Sequence, residues 1–257
     1  MNWQTFPYFA IAAVLCWLAG TLSAFRKRQR GALMLSGLGS AIFLVFIIGF
    51  WIGLDRPPLR TMGETRLWYS FFLSVVGMAL YGKCRYPWML GFSTLMSLVF
   101  TLINILKPEI HSQTLMPALQ SLWFVPHVSV YMFSYSLLGC ATLLSVVALV
   151  RRSTDMDMAI ERLLYAGLAF LSVGMLTGAL WAKDAWGAYW SWDPKESWAA
   201  ATWGLYLTAI HLAPSVMNTS RRWVYHTIIL LGFVALQMCW YGVNYLPSAA
   251  TSVHTYS

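Results

Sequence analysis

Charge is what this sequence has least of. Asp, Glu, Lys and Arg make up 10% of its 257 residues, hydrophobic residues make up 59%, and mean hydropathy is +0.61. A soluble domain carries about 25% charged residues, so a water-soluble globular enzyme is excluded. Acidic residues are scarcer still, 9 against 17 basic ones, for a net charge of +8. The basic residues sit in short clusters between apolar runs, which is the pattern of topology signals and not of a nucleic-acid-binding face. Cysteine is sparse too. Cys16, Cys84, Cys140 and Cys239 form no CxxC pair, which argues against a structural disulfide or a protein-borne dithiol relay. No long hydrophilic stretch, low-complexity tract or internal repeat interrupts the chain, so residues 1–257 are expected to form a single integral membrane domain. The cluster Arg26-Lys27-Arg28-Gln29-Arg30 follows the first apolar run and does not precede it. That segment therefore reads as a retained helix, not as a cleavable signal peptide.

What is present is a series of apolar segments, each near the ~20 residues that span a bilayer. They cover residues 6–25, 33–54, 67–82, 87–106, 127–150, 163–182, 197–213 and 224–246, the third and seventh being short. The expected fold is an all-α, polytopic membrane helix bundle of about eight transmembrane helices. With both termini extracytoplasmic, 11 of the 17 basic residues fall on the cytoplasmic side and 6 on the outer side, in keeping with the positive-inside rule. Three outer connections are long enough to carry chemistry: 55–66, 107–126 and 183–196.

The third of these is unlike the rest of the chain. Trp186-Gly187-Ala188-Tyr189-Trp190-Ser191-Trp192-Asp193-Pro194-Lys195-Glu196-Ser197-Trp198 sets four tryptophans, a tyrosine, two carboxylates and a lysine between apolar runs. An aromatic belt accounts for Trp181 and Trp198, one at each helix end, because Trp and Tyr gather at membrane interfaces. It does not account for three further tryptophans threaded through Gly, Asp-Pro and Lys-Glu. Flat π surfaces, indole donors and a few charges suit a large planar ligand with acidic arms, and haem is the obvious candidate. Asp193-Pro194 reads as a turn with Asp193 capping the following helix. Glu196 either caps as well or holds a histidine tautomer.

Histidine is the census that matters, since neutral imidazole is a common haem-iron ligand. His127 opens the fifth span, and Tyr131, Ser134 and Tyr135 continue a semi-polar stripe below it. Taken alone, an interfacial histidine is more often solvated than metal-bound. His254 lies in a short polar tail on the same side, where a histidine usually does nothing. His211 falls 14 residues past Ser197, about 21 Å down a helix. An ionisable group at that depth is a functional candidate by default, against a neutral, hydrogen-bonded alternative. His226 sits near the inner end of the next helix and reads as interfacial, and His111 is a spare in an outer loop. Lys183, Lys195, Arg60 and Arg66 are equally propionate partners or solvated charges. Glu64 favours a helix dipole or lines a site.

The Trp-rich run resembles the haem-handling proteins of cytochrome c assembly. Its Trp-Asp-Pro-Lys-Glu-Ser-Trp continuation is similar to the CcsA/ResC-type subunit of the two-component cytochrome c synthase, and the likeness extends from the 57–66 loop to the tail. The resemblance implies that haem b, the substrate, is held against Trp186, Tyr189, Trp190, Trp192, Asp193 and Trp198. His127 and His254 would be axial ligands of the iron, and the tail departs from the family's usual Gly-Leu-His-Ser-Tyr in reading Ser252-Val253-His254-Thr255-Tyr256. It further implies that His211 helps bring haem through the membrane. A histidine of a ResB-type membrane subunit would partner it, with an internal His211–His226 pair as the competing arrangement. The product would be apocytochrome c carrying haem on its Cys-x-x-Cys-His thiols, which requires external thiol reductants. The implied location is a bacterial inner membrane, with the site on the extracytoplasmic face. A haem exporter or chaperone without ligase activity is the alternative, and a cytochrome b-type electron carrier fits less well.

Overall fold

A computed structural model gives the fold and describes residues 1–111, 117–248 and 252–254. Among these residues the regular structure is entirely helical. Eight long helices follow one another: α1 (Phe6–Phe25), α2 (Gln29–Leu54), α3 (Met62–Cys84), α4 (Pro87–Leu106), α5 (Phe124–Arg151), α6 (Asp157–Trp186), α7 (Pro194–Val216) and α8 (Arg222–Trp240). Short 3-10 turns occupy Pro108–His111, Pro117–Gln120 and Gly242–Tyr245. Seven of the eight are long and apolar enough to cross a membrane, and the chain is a multi-pass membrane protein. α7 falls outside that set, its 23 residues including Lys195, Glu196, Thr202, Thr208 and His211.

The two segments expected to be short are longer in the structure, and both gain length in the same way. α3 begins at Met62 because the Thr61 side chain accepts from the Glu64 N–H while Glu64 accepts from the Thr61 N–H. α7 begins at Pro194 because Asp193 and Glu196 form the same reciprocal box. Such caps satisfy amide donors that a helix start otherwise leaves open. The last span stops at Trp240, and a 3-10 turn replaces the continuation expected to residue 246.

The helices cluster into two compact units, Met1–Leu119 and Gln120–Ser257. In the first, α1 packs on α2 and α4, and α3 packs on α2 and α4. The α1–α2 seam is aromatic, with Phe6, Trp17, Phe43, Phe46 and Phe50 all at most 2% exposed. Trp17 lies where a Cβ on Gly39 would come within 2.7 Å of its ring, and its Nε1 donates to Ser40 Oγ at 3.2 Å. In the loop before α3, Glu64 accepts from both terminal nitrogens of Arg56 (2.9 and 2.8 Å) and from the Arg60 N–H (2.7 Å). Glu64 is therefore a buried cap and ion-pair partner in that loop.

In the second unit, α5 packs on α6 and α8, and α7 packs on the same two helices, so the four close into a ring. The α5–α6 contact is built on glycines. A Cβ at Gly167 would meet Leu138 at 2.6 Å, one at Gly174 would meet Tyr131 at 2.3 Å, and one at Gly178 would meet His127 at 2.7 Å. In lipid there is little hydrophobic force between helices, so close approach over small residues supplies the packing. Ser134 Oγ donates to Gly167 O at 2.7 Å across this seam. At the other end of α6, Arg222 pairs with Asp157 and donates to Ser153 O at 2.6 Å. That cluster lies ~36 Å along α6 from Trp181, at ~1.5 Å per residue.

Candidate functional site

One end of the second unit gathers the first turn of α5, the last turns of α6, the start of α7 and residues 252–254. His127 Nδ1 lies 2.8 Å from Gly174 O. A carbonyl oxygen only accepts, so Nδ1 carries the proton and Nε2 keeps its lone pair. The ring stacks on Trp181 (centroids 5.4 Å apart, planes at 21°) and rests on Tyr131 at 4.5 Å. His254 meets the same indole edge-on, at 5.4 Å and 65°, and meets Trp186 at 4.4 Å and 62°. The two imidazoles thus share one indole, Trp181, which is 3% exposed.

His254 is held there by Asp193. The Asp193 carboxylate accepts from the Ser252 hydroxyl (3.0 Å), the Val253 N–H (2.9 Å) and the Lys195 N–H (2.9 Å). His254 N–H donates to Ser252 Oγ at 3.2 Å, and Lys195 Nζ donates to His254 O at 3.0 Å. The His254 ring brings Nδ1 to 3.0 Å from Asp193 Oδ1, with the ring turned out of hydrogen-bond alignment. Burial alone would raise the Asp193 carboxyl. The Lys195 N–H, the His254 ring, Ser252 and the Val253 N–H outweigh it and hold the pKa below the usual aspartate value. Burial pushes His254 below the usual imidazole value, and Asp193 opposes that shift without cancelling it. His254 is therefore neutral near pH 7, the form that ligates metals.

The segment between α6 and α7 is short. Trp186 belongs to the last turn of α6, so the irregular stretch is only 187–193, less than the connection expected over 183–196. Gly187 closes α6 at φ +82°, with its N–H on Lys183 O at 3.0 Å. Lys183 Nζ returns to Gly187 O at 2.8 Å and lies over the exposed Tyr189 ring, which occupies it locally. Trp192 sits at φ +58°, a left-handed conformation that is strained for a bulky residue. The groups around it are pinned. The Ser191 and Asp193 N–H groups donate to Glu196, and Ser197 Oγ donates to Trp192 O. Glu196 is thus a cap and loop clamp. Trp192 is 70% exposed and meets Trp190 edge-on at 5.7 Å, while Trp190 Nε1 is buried without a partner. Trp198 is half-buried in α7.

Of the expected residues, the structure brings together His127, Trp186, Asp193 and His254. Tyr189, Trp190 and Trp192 stand in the adjoining loop, and Trp198 one turn into α7. His211 is not among them. It is exposed, its Nδ1 lies 2.9 Å from Leu207 O, and it is ~27 Å along α7 from Asp193 at ~1.5 Å per residue. His226, read as interfacial, lies near the start of α8 and is 0% exposed, with Nε2 3.9 Å from Asp157. His111 belongs to the first unit and stacks on Trp3 at 3.7 Å. Arg60 and Arg66 also belong there, beside Glu64. The sequence reading missed Trp181 as a site residue, Gly174 and Gly178 as the seat of His127, and Ser252 as a tail anchor. Only the Gly174-x-x-x-Gly178 spacing carried a local signal, as a small-residue packing pair.

A profile described as cytochrome C assembly protein matches residues 5–250. The chain belongs to that family. Among curated relatives it is similar to the cytochrome c biogenesis protein CcsA of Panax ginseng, 31% identical over 84% of this chain and 83% of the relative. It is likewise similar to the protein of the same name from Pelargonium hortorum, at 30% over 85% and 84%. The corresponding protein from Phalaenopsis aphrodite is 28% identical over 78% of this chain. As a cytochrome c assembly protein, the chain functions in cytochrome c biogenesis, and haem handling follows from that family.

Proposed function

We propose that the chain, working as one domain, is the haem-handling subunit of a two-component cytochrome c synthase of the CcsA/ResC type. The observation that carries this is the pair of imidazoles around Trp181, with His127 Nδ1 at the Gly174 carbonyl and His254 Nδ1 3.0 Å from the Asp193 carboxylate, which leaves Nε2 of each ring for a ligand. The residues fit haem b as substrate. His127 and His254 would take the two axial positions of the iron through Nε2. Trp186, Tyr189, Trp190, Trp192 and Trp198 offer apolar faces, and the buried, unpartnered Trp190 Nε1 is a donor suited to an acidic arm. In thioether formation each apocytochrome thiol adds across a vinyl double bond: the S–C bond forms, the proton ends on the other vinyl carbon, and nothing leaves. The chain's own contribution is therefore positioning and exclusion of water. External reductants keep the thiols free, since the site offers no cysteine pair of its own.

His211 belongs to transport in this reading. It lies within an open stripe of small residues on α7, with Ala201, Thr208 and Ser215 exposed and nothing within 4 Å of a Cβ at Gly204. A membrane helix of a ResB-type partner would pack there and bring the second membrane histidine. The basic-residue split supports an extracytoplasmic Trp181 site, which in this reading faces outward from a bacterial inner membrane.

The test is the haem spectrum and reporter cytochrome c maturation of the assembled complex. Wild type is expected to hold six-coordinate, low-spin haem. His127→Ala or His254→Ala should weaken or convert it to high-spin, with partial rescue by imidazole, and His111→Ala should be silent. Wild-type spectra and full maturation in both site variants would overturn the assignment. Haem export without any contribution to ligation would favour the exporter reading.

A further inference from the structure

The two candidate iron ligands are not equivalent in their surroundings. His127 Nδ1 faces a neutral partner, the Gly174 carbonyl at 2.8 Å. His254 Nδ1 faces a carboxylate, Asp193 Oδ1 at 3.0 Å. The same carboxylate also holds the backbone on which His254 sits, through Ser252 and the Val253 N–H. Asp193 itself is fixed at the N-cap of α7, where Lys195 N–H binds it and Glu196 closes the box. One carboxyl group thereby ties together a helix start and a tail segment 59 and 60 residues further along the chain.

We propose that Asp193 is the positioning residue for His254: it latches the tail that carries the histidine and, from the ring nitrogen remote from the iron, makes His254 the more basic of two unequal ligands. This rests on the reading of His127 and His254 as iron ligands. A carboxylate behind a ligating imidazole raises its donor strength, which favours the ferric over the ferrous iron and lowers the reduction potential. A carbonyl behind the other imidazole does so less, because it carries only a partial charge. The Trp-Asp motif acts on the iron through a histidine, and its carboxylate is occupied by the tail instead of reaching for the ligand.

Two readouts on the full complex separate latching from tuning. The first needs no haem. A cysteine at Val253, an exposed position, should react with a membrane-impermeant maleimide several-fold faster in Asp193→Asn and in Ser252→Ala than in the otherwise native chain. Asn is a good N-cap, so α7 should still start at Pro194 in the first variant. The second readout is an optical redox titration with bound haem. Asp193→Asn should stay low-spin while its potential shifts positive, whereas Ser252→Ala should hold haem more weakly at unchanged potential. Equal labelling in all three chains overturns the latch. A low-spin Asp193→Asn with the wild-type potential overturns the tuning, and a positive shift equally large in Ser252→Ala overturns its assignment to the charge. If Asp193→Asn does not assemble, Ser252→Ala decides the latch by labelling, and Asp193→Glu, which keeps the carboxylate charge, decides the tuning: a potential near that of wild type supports it and a positive shift overturns it. A wild-type complex without bis-histidine haem would refute the underlying site reading, leaving the labelling result to stand on its own.

Discussion

Gly178→Ala puts the smallest available probe against the His127 ring. The added methyl carbon would stand 2.7 Å from both His127 Cε1 and Nδ1. Carbon contacts are comfortable at ~3.5–4.0 Å, so the ring must retreat by roughly 1 Å. α6 cannot give way easily, because Gly174 and Gly167 hold it at the same close spacing against Tyr131 and Leu138. The retreat takes Nδ1 away from Gly174 O, and a contact of 2.8 Å lengthened by that much is no longer a hydrogen bond. Overpacking costs about 1–3 kcal/mol and the lost bond about 0.5–1.5 kcal/mol. Against this, Ala gains up to about 1 kcal/mol over Gly in a helix interior. Global stability should therefore fall only modestly, while the imidazole leaves its place. Converted at ~1.4 kcal/mol per tenfold, ferric haem affinity should drop by between one and three orders of magnitude. The assay is a haem titration of the detergent-solubilised complex, followed by the loss of the low-spin band. Gly31→Ala in α2 of the first unit is the control, since its added carbon meets nothing nearer than 3.9 Å, and haem binding should be unchanged. A Gly178→Ala complex with wild-type affinity and a low-spin spectrum would refute the seating of His127 on α6.

Two further outcomes follow from the loop and the charge pattern. Trp192→Gly removes an indole from a left-handed backbone position at φ +58°, where an L side chain costs about 1–2 kcal/mol. The thermal midpoint should hold or rise while haem retention falls, and a lower midpoint with unchanged retention would show that the ring serves the fold instead. For topology, single cysteines at Ser248 and Gln29 should differ towards an impermeant maleimide added from outside. Only the first should be marked, and the reverse pattern would move the Trp181 site to the cytoplasmic face.

The helices were legible because lipid imposes one rule on every span: backbone groups must be satisfied internally, so an apolar run of the right length is a helix. For α3 and α7 the starts shifted because of a polar cap that hydropathy discounts. Thr61 with Glu64 and Asp193 with Glu196 are sequence signatures of a helix start, and they extend α3 and α7 beyond the apolar core of each. Burial was not legible for His226: it lies near the start of α8 as expected, but it is 0% exposed, with Asp157 3.9 Å from its Nε2.

The site was legible in its residue types and not in its joints. His127, the Trp-rich run and His254 announce themselves, since each is an unusual residue for its surroundings. Trp181 does not, because an indole near the end of a membrane helix is what an aromatic belt supplies anyway. Its role depends on being buried between α5, the end of α6 and the tail, a placement that no local pattern encodes. The tail shows the same limit more sharply. Ser252 and Val253 look like any polar terminus, and their partner lies 59 and 60 residues earlier. Yet the partner is already marked, since Asp193 caps α7 and its neighbours Ser191 and Ser197 pin Trp192 in a strained conformation. Strain persists only where the surroundings over-determine it. The α7 start, the Trp192 turn and the His254 tail are therefore one hydrogen-bonded assembly around two carboxylates, Asp193 and Glu196. Damage to either carboxylate should register first as a displaced histidine and only second as a lost aromatic surface.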